Sequence, residues 1–361
     1  MSGFSFNLLK ITDPRFRLGK MIFSRNKHEK ILDTPNCFVN TIRGSVPHLT
    51  PDNLQTIPVD AFGITLEHFL EAQPPSSTYF MGGIHKFLNL EEHLLFFDVR
   101  DSEKLQNISF GTDKYVPAVT SHGYRKVTPE EYIRYMNIYN PDIFASMTDL
   151  ITVKNPGLKR VKKSVDRTLN WLDETLEQTK EGIQVFGVVT GYDKHEERER
   201  SAKETANRNV AGFVLNGFDL DMTSKERLDL MKISLKHLPR NKPRVAYSLG
   251  APEYVLLGIF EGIDIFNTSY PSDMTSLGHA LTFLLIEDGI QNRREKFINL
   301  WDDKYQTDFK PILDECKCYT CQNHKRAYIH HLLKAHEMLA TILLMRFVSS
   351  CLILNEFYLQ P

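Results

Sequence analysis

Three thiols near the end of the chain have the spacing of a metal site. Cys316, Cys318 and Cys321 form C-x-C-x-x-C in ECKCYTCQNHKRAYIHHLLKAHEMLA. One turn can aim three such thiolates at one ion, and tetrahedral zinc takes cysteine and histidine ligands. The competing reading is three unrelated free thiols. His324, His330, His331 and His336 follow closely. His324 gives a short C-x-x-H spacing, whereas His330 and His331 read better as helix-surface or interface residues than as ligands. Lys159, Arg160, Lys162, Lys163 and Arg167 make a basic run that suits nucleic-acid phosphate or a solvated face.

Composition bounds the rest. The chain has 361 residues, 42% of them hydrophobic and 25% charged, with a formal net charge of -1. That is an ordinary globular balance with room for a large core. It excludes a polycation, so any contact with nucleic acid must come from local patches. Of five cysteines, Cys37 and Cys351 stand far from the cluster and from each other, which is no disulfide framework and suits a reducing compartment. The N-terminus lacks the apolar stretch of a secretory signal. Met338 to Leu354 is apolar apart from Arg346, but short against the roughly 20 residues of a membrane span. A buried helix continuing the cysteine segment is the expectation.

The elements that must position these groups are short apolar runs separated by helical periodicity. The runs are Leu94 to Val99, Tyr115 to Thr120, Asp142 to Thr148, Ile183 to Val189, Val210 to Leu215, Arg244 to Leu249 and Ile263 to Phe266. The order implies parallel β/α units, and their number favours an α/β TIM (β/α)8 barrel over a doubly wound sheet. No G-x-G-x-x-G follows a strand. Chemistry in such a barrel sits at the C-terminal strand ends, so Asp149, Thr190, Gly191, Asn216, Gly217, Gly250 and Asn267 are the positions to inspect. The division expected is a barrel domain over 1–300 and a metal-binding helical segment over 301–361.

In order along the chain, VTPEEYIRYMNIYNPDIFASMTD, KKSVDRTLNWLDETLE, VFGVVTGYDKHEERERSAKETANRNVAGFVLNGF and YSLGAPEYVLLGIFEGIDIFNTSYP, followed by the cysteine motif, resemble the tRNA-guanine transglycosylases. These are zinc-containing TIM barrels that exchange a guanine base in tRNA. The likeness covers roughly residues 90 to 345, and the sequence is atypical beyond about 345.

The departures carry as much information. The family's nucleophilic aspartate, in G-V-D-x-F-D, falls on Asn267, and an amide cannot replace that carboxylate as nucleophile. Asp264 lies three residues earlier, which turns it to the other side of the strand. The family's Pro-Thr-Arg becomes Pro271, Ser272, Asp273. Its base-pocket loop falls near Asp101, Ser102, Glu103 and Lys104 without the two glycines. V-Q-G-G becomes Val189, Thr190, Gly191, Tyr192, and G-G-L-A-V-G-E becomes Asn216 to Met222. Asp149 stands near the family's guanine-binding aspartate. The histidine that would complete the zinc site falls on Phe347. Such losses, with RNVAGFVLNGF, CYTCQNHKRAYIHHLL and HEMLA, are similar to the non-catalytic branch of the family.

The resemblance implies a chain without catalytic residues, one structural zinc ion on Cys316, Cys318 and Cys321, and a heterodimer with a catalytic queuine tRNA-ribosyltransferase subunit. That complex would replace guanine with queuine at the wobble position of tRNAs with GUN anticodons, those for aspartate, asparagine, histidine and tyrosine. It also implies a cytoplasmic location, with peripheral association at the mitochondrial outer membrane. Two other readings stay open: an active transglycosylase with a shifted nucleophile (Asp264 or Asp149), and a standalone zinc-dependent RNA-binding protein.

Overall fold

The computed structural model describes residues 3–9, 17–25, 28–55, 57, 59–101, 111–218, 222–282, 285–286, 289–290, 296–314 and 316–357. Side-chain surroundings are described as far as residue 349. Contacts divide the chain into two compact units. One is residues 1–44 with 60–268, the other residues 45–59 with 269–361.

The first unit opens with strands β1 (Gly3–Leu8), β2 (Gly19–Arg25) and β3 (His28–Thr34), an antiparallel sheet. Then come β4 (Asn36–Asn40), β5 (Ala61–Thr65) and β6 (Leu94–Asp98), with helix α1 (Pro51–Leu54) between β4 and β5 belonging to the second unit. After α2 (Gly83–Leu88), which precedes β6, the chain makes a hairpin of β7 (Val116–Thr120) and β8 (Gly123–Val127). Parallel β/α units follow: α3 (Pro129–Tyr139), β9 (Ile143–Ala145), α4 (Leu158–Gln178), β10 (Gln184–Val189), α5 (His195–Ala206), β11 (Gly212–Leu215), α6 (Ser224–Leu235), β12 (Arg244–Tyr247), α7 (Pro252–Glu261) and β13 (Ile265–Thr268).

Eight of these strands close a barrel in the order β4-β5-β6-β9-β10-β11-β12-β13, with β13 pairing back on β4. Every pairing around it is parallel, so the expected TIM-type α/β barrel is present. One expected barrel strand is not there. Tyr115 to Thr120 goes into the β7–β8 hairpin, because an apolar run with one buried face serves a hairpin as well as a barrel.

Local sequence explains the helices. Thr128 and Glu131 form a capping box that starts α3, and Thr223 with Glu226 does the same for α6. In α4, Val161, Val165, Leu169 and Leu172 share the buried face with Ser164, Thr168, Trp171 and Thr175, the helical period of one apolar stripe. The barrel interior is stacked with rings: Phe38 lies 4.9 Å from Phe96, and Phe96 in turn meets Phe186 and Tyr247 edge-on. Met21, Phe23 and Leu32 from the N-terminal sheet join the same core, so that sheet closes the bottom of the barrel. Arg17 ties it there, donating to both oxygens of Asp264 at 3.0 and 3.1 Å and to the backbone oxygens of Arg240 and Lys242.

In the second unit, α8 (Tyr270–Ser276), α9 (Tyr319–Asn323), α10 (Arg326–Lys334) and α11 (Met338–Phe357) carry most of the structure. The apolar C-terminal run is the expected helix, burying Ala340, Leu343, Leu344, Met345, Phe347 and Val348. Among the described residues no helix is long and apolar enough to cross a membrane.

Candidate functional site

The mouth of the barrel is built from residues at the C-terminal ends of its strands. Asn267 is the third residue of β13, level with Tyr247 on one neighbour and Phe38 on the other. Its side chain is buried, and among the described residues its Oδ1 finds no hydrogen-bond partner. Room for that oxygen depends on Gly63 of β5, where a Cβ would collide with it. An amide oxygen carries no net charge, so the position offers an acceptor but no anionic nucleophile.

The acids around it have other work. Asp98 ends β6 and is buried. It accepts from the Tyr247 hydroxyl at 2.6 Å and from the Val99 backbone N–H. Burial pushes its carboxyl up to about 7, against the smaller opposing pull of these donors. Glu67 accepts the backbone N–H groups of Asp101 and Val119, and burial raises its carboxyl too. Asp101 accepts from the Asn40 amide at 3.2 Å. Arg100 is buried among the charges of Glu67, Asp98 and Asp149, which hold its guanidinium in a site that disfavours charge. Among the described residues its Nε and Nη2 find no hydrogen-bond partner.

Neither alternative nucleophile is free to act. Asp149 is clasped by Arg160 through both oxygens, at 2.7 and 2.8 Å, and again by Arg167 at 2.9 Å. Its lone pairs are committed to guanidinium, so it offers little to a base or to a ribose carbon. Asp264 precedes β13 at the barrel bottom, locked to Arg17 and to the Arg244 N–H. The same geometry revises the basic run. Arg160 and Arg167 turn inward to Asp149, and Arg167 with Lys163 also reaches Asp113, which leaves Lys159 and Lys162 on the exposed face.

Two strand-end loops are held by a residue the sequence reading passed over. Arg198 is fully buried in α5. It donates to the backbone oxygens of Tyr192 and Asn216 and to the Ser234 hydroxyl. The loops after β10 and β11 are thereby tied to one guanidinium. Ser201, one turn on, accepts the Thr190 N–H at 3.1 Å. A Cβ on Gly191, whose φ is +138°, would lie 2.6 Å from the backbone of Arg198, so glycine is required there. The signal was available in the quoted stretch, where Arg198, Ser201 and Ala202 make R-x-x-S-A. Ser102, Glu103, Lys104, Asp219, Leu220 and Asp221 lie outside the described residues, as does the side chain of Cys351.

The cysteines come together in the second unit. The Sγ atoms of Cys316, Cys318 and Cys321 all lie within 4.8 Å of one another, close enough for one ion to gather them with metal–sulfur bonds near ~2.3 Å. Cys318 caps the start of α9, and its Sγ accepts the Cys321 N–H at 3.5 Å. Donation of its S–H to the neighbouring sulfurs, Cys316 foremost, together with burial, pushes the Cys321 thiol up. Three thiolates packed this way need a cation among them, so the donor set fits a metal ion.

Among the described residues no histidine or carboxylate joins this group. His324 ends α9 and stacks on Tyr328 at 5.4 Å. His330 is buried with Nδ1 on the Leu300 oxygen, and His331 and His336 are exposed. Phe347 is fully buried in α11.

A closed parallel barrel, a strand-end mouth without a carboxylate on β13 and a separate three-cysteine cluster define a transglycosylase-type barrel. The chain belongs to the queuine tRNA-ribosyltransferase family, whose profile matches residues 13–347. It is similar to proteins named queuine tRNA-ribosyltransferase accessory subunit 2. The Xenopus laevis protein is 36% identical, covering 94% of this chain and 91% of its own. The Homo sapiens protein is 35% identical, with 91% and 89% covered. The Danio rerio protein is 34% identical, with 91% and 88% covered.

Proposed function

We propose that this chain is the non-catalytic accessory subunit of a queuine tRNA-ribosyltransferase, pairing with a catalytic paralogue that exchanges guanine for queuine at the tRNA wobble position. The observation that carries this reading is Asn267, buried at the barrel mouth with its Oδ1 unbonded, where the family's reaction uses a carboxylate. The extent of similarity to accessory subunits supports it.

Zinc is the ion best matched to three thiolates, and Cys316, Cys318 and Cys321 would hold it. Bound there, it supplies cross-linking of the segment before α9 to the helix itself, a structural role. Cys318 and Cys321 belong to the cap and first turn of one short helix and Cys316 to the chain leading into it, so one ion fixes both. In the same proposal this ordered segment helps form the heterodimer contact, and tRNA is engaged through the complex. A cytoplasmic location with peripheral attachment to the mitochondrial outer membrane rests on the resemblance alone; cell fractionation with a salt wash checks it.

The deciding experiment is base exchange with labelled guanine on tRNA, run with the lone chain, with a catalytic subunit and with both. The lone chain should be inactive, and both together should form a one-to-one complex on gel filtration. Exchange by the lone chain, or tight tRNA binding without complex formation, would overturn the reading. Asn267→Asp should not restore exchange, because Asp149 remains clasped by Arg160 and Arg167. Metal analysis should find about one zinc per chain, lost in Cys318→Ser.

A further inference from the structure

The N-terminal sheet has an open edge. Strand β1 pairs with β2 on one side, and among the described residues no strand pairs with its other side. The backbone alternation follows from one bond. Leu9 N–H donates to the Leu18 oxygen at 2.8 Å, and Leu8 stands opposite Gly19. Gly3, Ser5 and Asn7 therefore exchange bonds with β2, and the N–H and C=O groups of Phe4, Phe6 and Leu8 face the open side. The strand reads GFSFNL, with neither a charge nor a proline, the usual devices that blunt an edge.

A groove of about 560 Å³ runs beside it. Phe4, Ser5 and Phe6 line one wall, while the loops before β10, β11 and β12 form the other. No residue of β2 or β3 lines it, so the groove follows the edge and not the sheet face. Its charged lining residues are Lys180, Glu181 and Lys242. Among the described residues Lys180 Nζ reaches the Asn137 oxygen at 3.4 Å, and no carboxylate acts on Lys242. Burial without a nearby carboxylate holds the Lys242 ammonium below its usual range.

We propose that this edge and groove bind an extended, acidic peptide segment by strand addition, with backbone bonds to Phe4, Phe6 and Leu8 and a carboxylate near Lys180 and Lys242. Unpaired backbone supplies the affinity, and the excess of ammonium over carboxylate in the groove selects the charge. The site lies at the bottom of the barrel, away from the strand-end mouth, so it adds a second binding surface to the accessory role.

The probe is an end-blocked octapeptide alternating valine and glutamate, added to the full-length, metal-loaded chain. Residue-resolved hydrogen exchange is the readout. The amides of Phe4, Phe6 and Leu8 should slow by about ten-fold or more, while those of Gly3, Ser5 and Asn7 change little. N-methylating every second residue of the peptide, along the edge that would pair, should weaken binding by about ten-fold. Lys242→Glu should weaken it by about five-fold at low salt, as should Lys180→Glu if the first variant folds poorly. No slowing at the three amides at millimolar peptide would overturn the proposal. So would slowing without peptide that grows with protein concentration, which would assign the edge to a second copy of this chain.

Discussion

The two ends of β13 hold polar residues three positions apart with opposite fates. At the lower end Asp264 is fully buried and accepts three N–H groups, two from Arg17 and one from the Arg244 backbone. Towards the upper end Asn267 is buried as well, yet its Oδ1 bonds to nothing. Burying an unbonded acceptor costs free energy, and a structure selected for stability alone would have filled or paired it. The lower end is therefore built for stability, whereas the upper end leaves a buried acceptor unpaired among the described residues. Arg100, with two unbonded nitrogens at the same mouth, extends the pattern.

The largest effect should come from breaking the lower pair. Arg17→Ala leaves a fully buried carboxylate without its guanidinium and should cost about 3–5 kcal/mol in urea unfolding. The mouth offers a pH-dependent counterpart. Asp98 is protonated up to about pH 7 in the fold, against about 3.9 when unfolded. The folded state binds the extra proton, so this contribution is fully present below about pH 4 and is lost as pH rises towards about 7. Relative to Asp98→Asn, the parent chain should lose about 2–4 kcal/mol of stability across that window. Parallel pH profiles for the two proteins would remove Asp98 as a buried neutral acid. Gly63→Ala comes next, at about 1–3 kcal/mol, because the new methyl meets the Asn267 oxygen. Adding Asn267→Ala to it should recover most of the loss, and a strictly additive double mutant would break the argument for that contact.

Much of this contrast was legible in the sequence, and the missing parts have physical reasons. Six barrel strands, β6 and β9 to β13, were visible because each is a short apolar run, and most alternate with helical stretches. NCFVN and AFGIT, which became β4 and β5, are short, carry Asn or Gly, and are separated by residues that belong to the other unit. The loss of carboxylate at 267 was legible because it needs only a residue type at a motif position. That Asp264 is a fastener was not, since its partner Arg17 is 247 residues away. The roles inside R-x-x-S-A were hidden for a similar reason, because Arg198 reaches backbone on two different loops. The cysteine cluster was readable from spacing alone, as all three thiols lie within one turn and its approach. A fourth metal ligand was not found by counting, and no described side chain supplies it.

The smallest expected effect sharpens the comparison most. Asn267→Ala removes an oxygen that bonds to nothing, so the lost interaction is packing alone, and the unpaired acceptor goes with it. The two terms oppose each other, and the net change should stay within about 1 kcal/mol. Asp264→Ala, just before the same strand and also buried, orphans Arg17 and should cost several times as much, about 3–5 kcal/mol. Urea unfolding of both variants under one condition measures the difference directly. If Asn267→Ala proved as damaging as Asp264→Ala, the amide would have to be a structural member of the mouth. The view of that position as a nucleophile site stripped of its charge would then lose its energetic support.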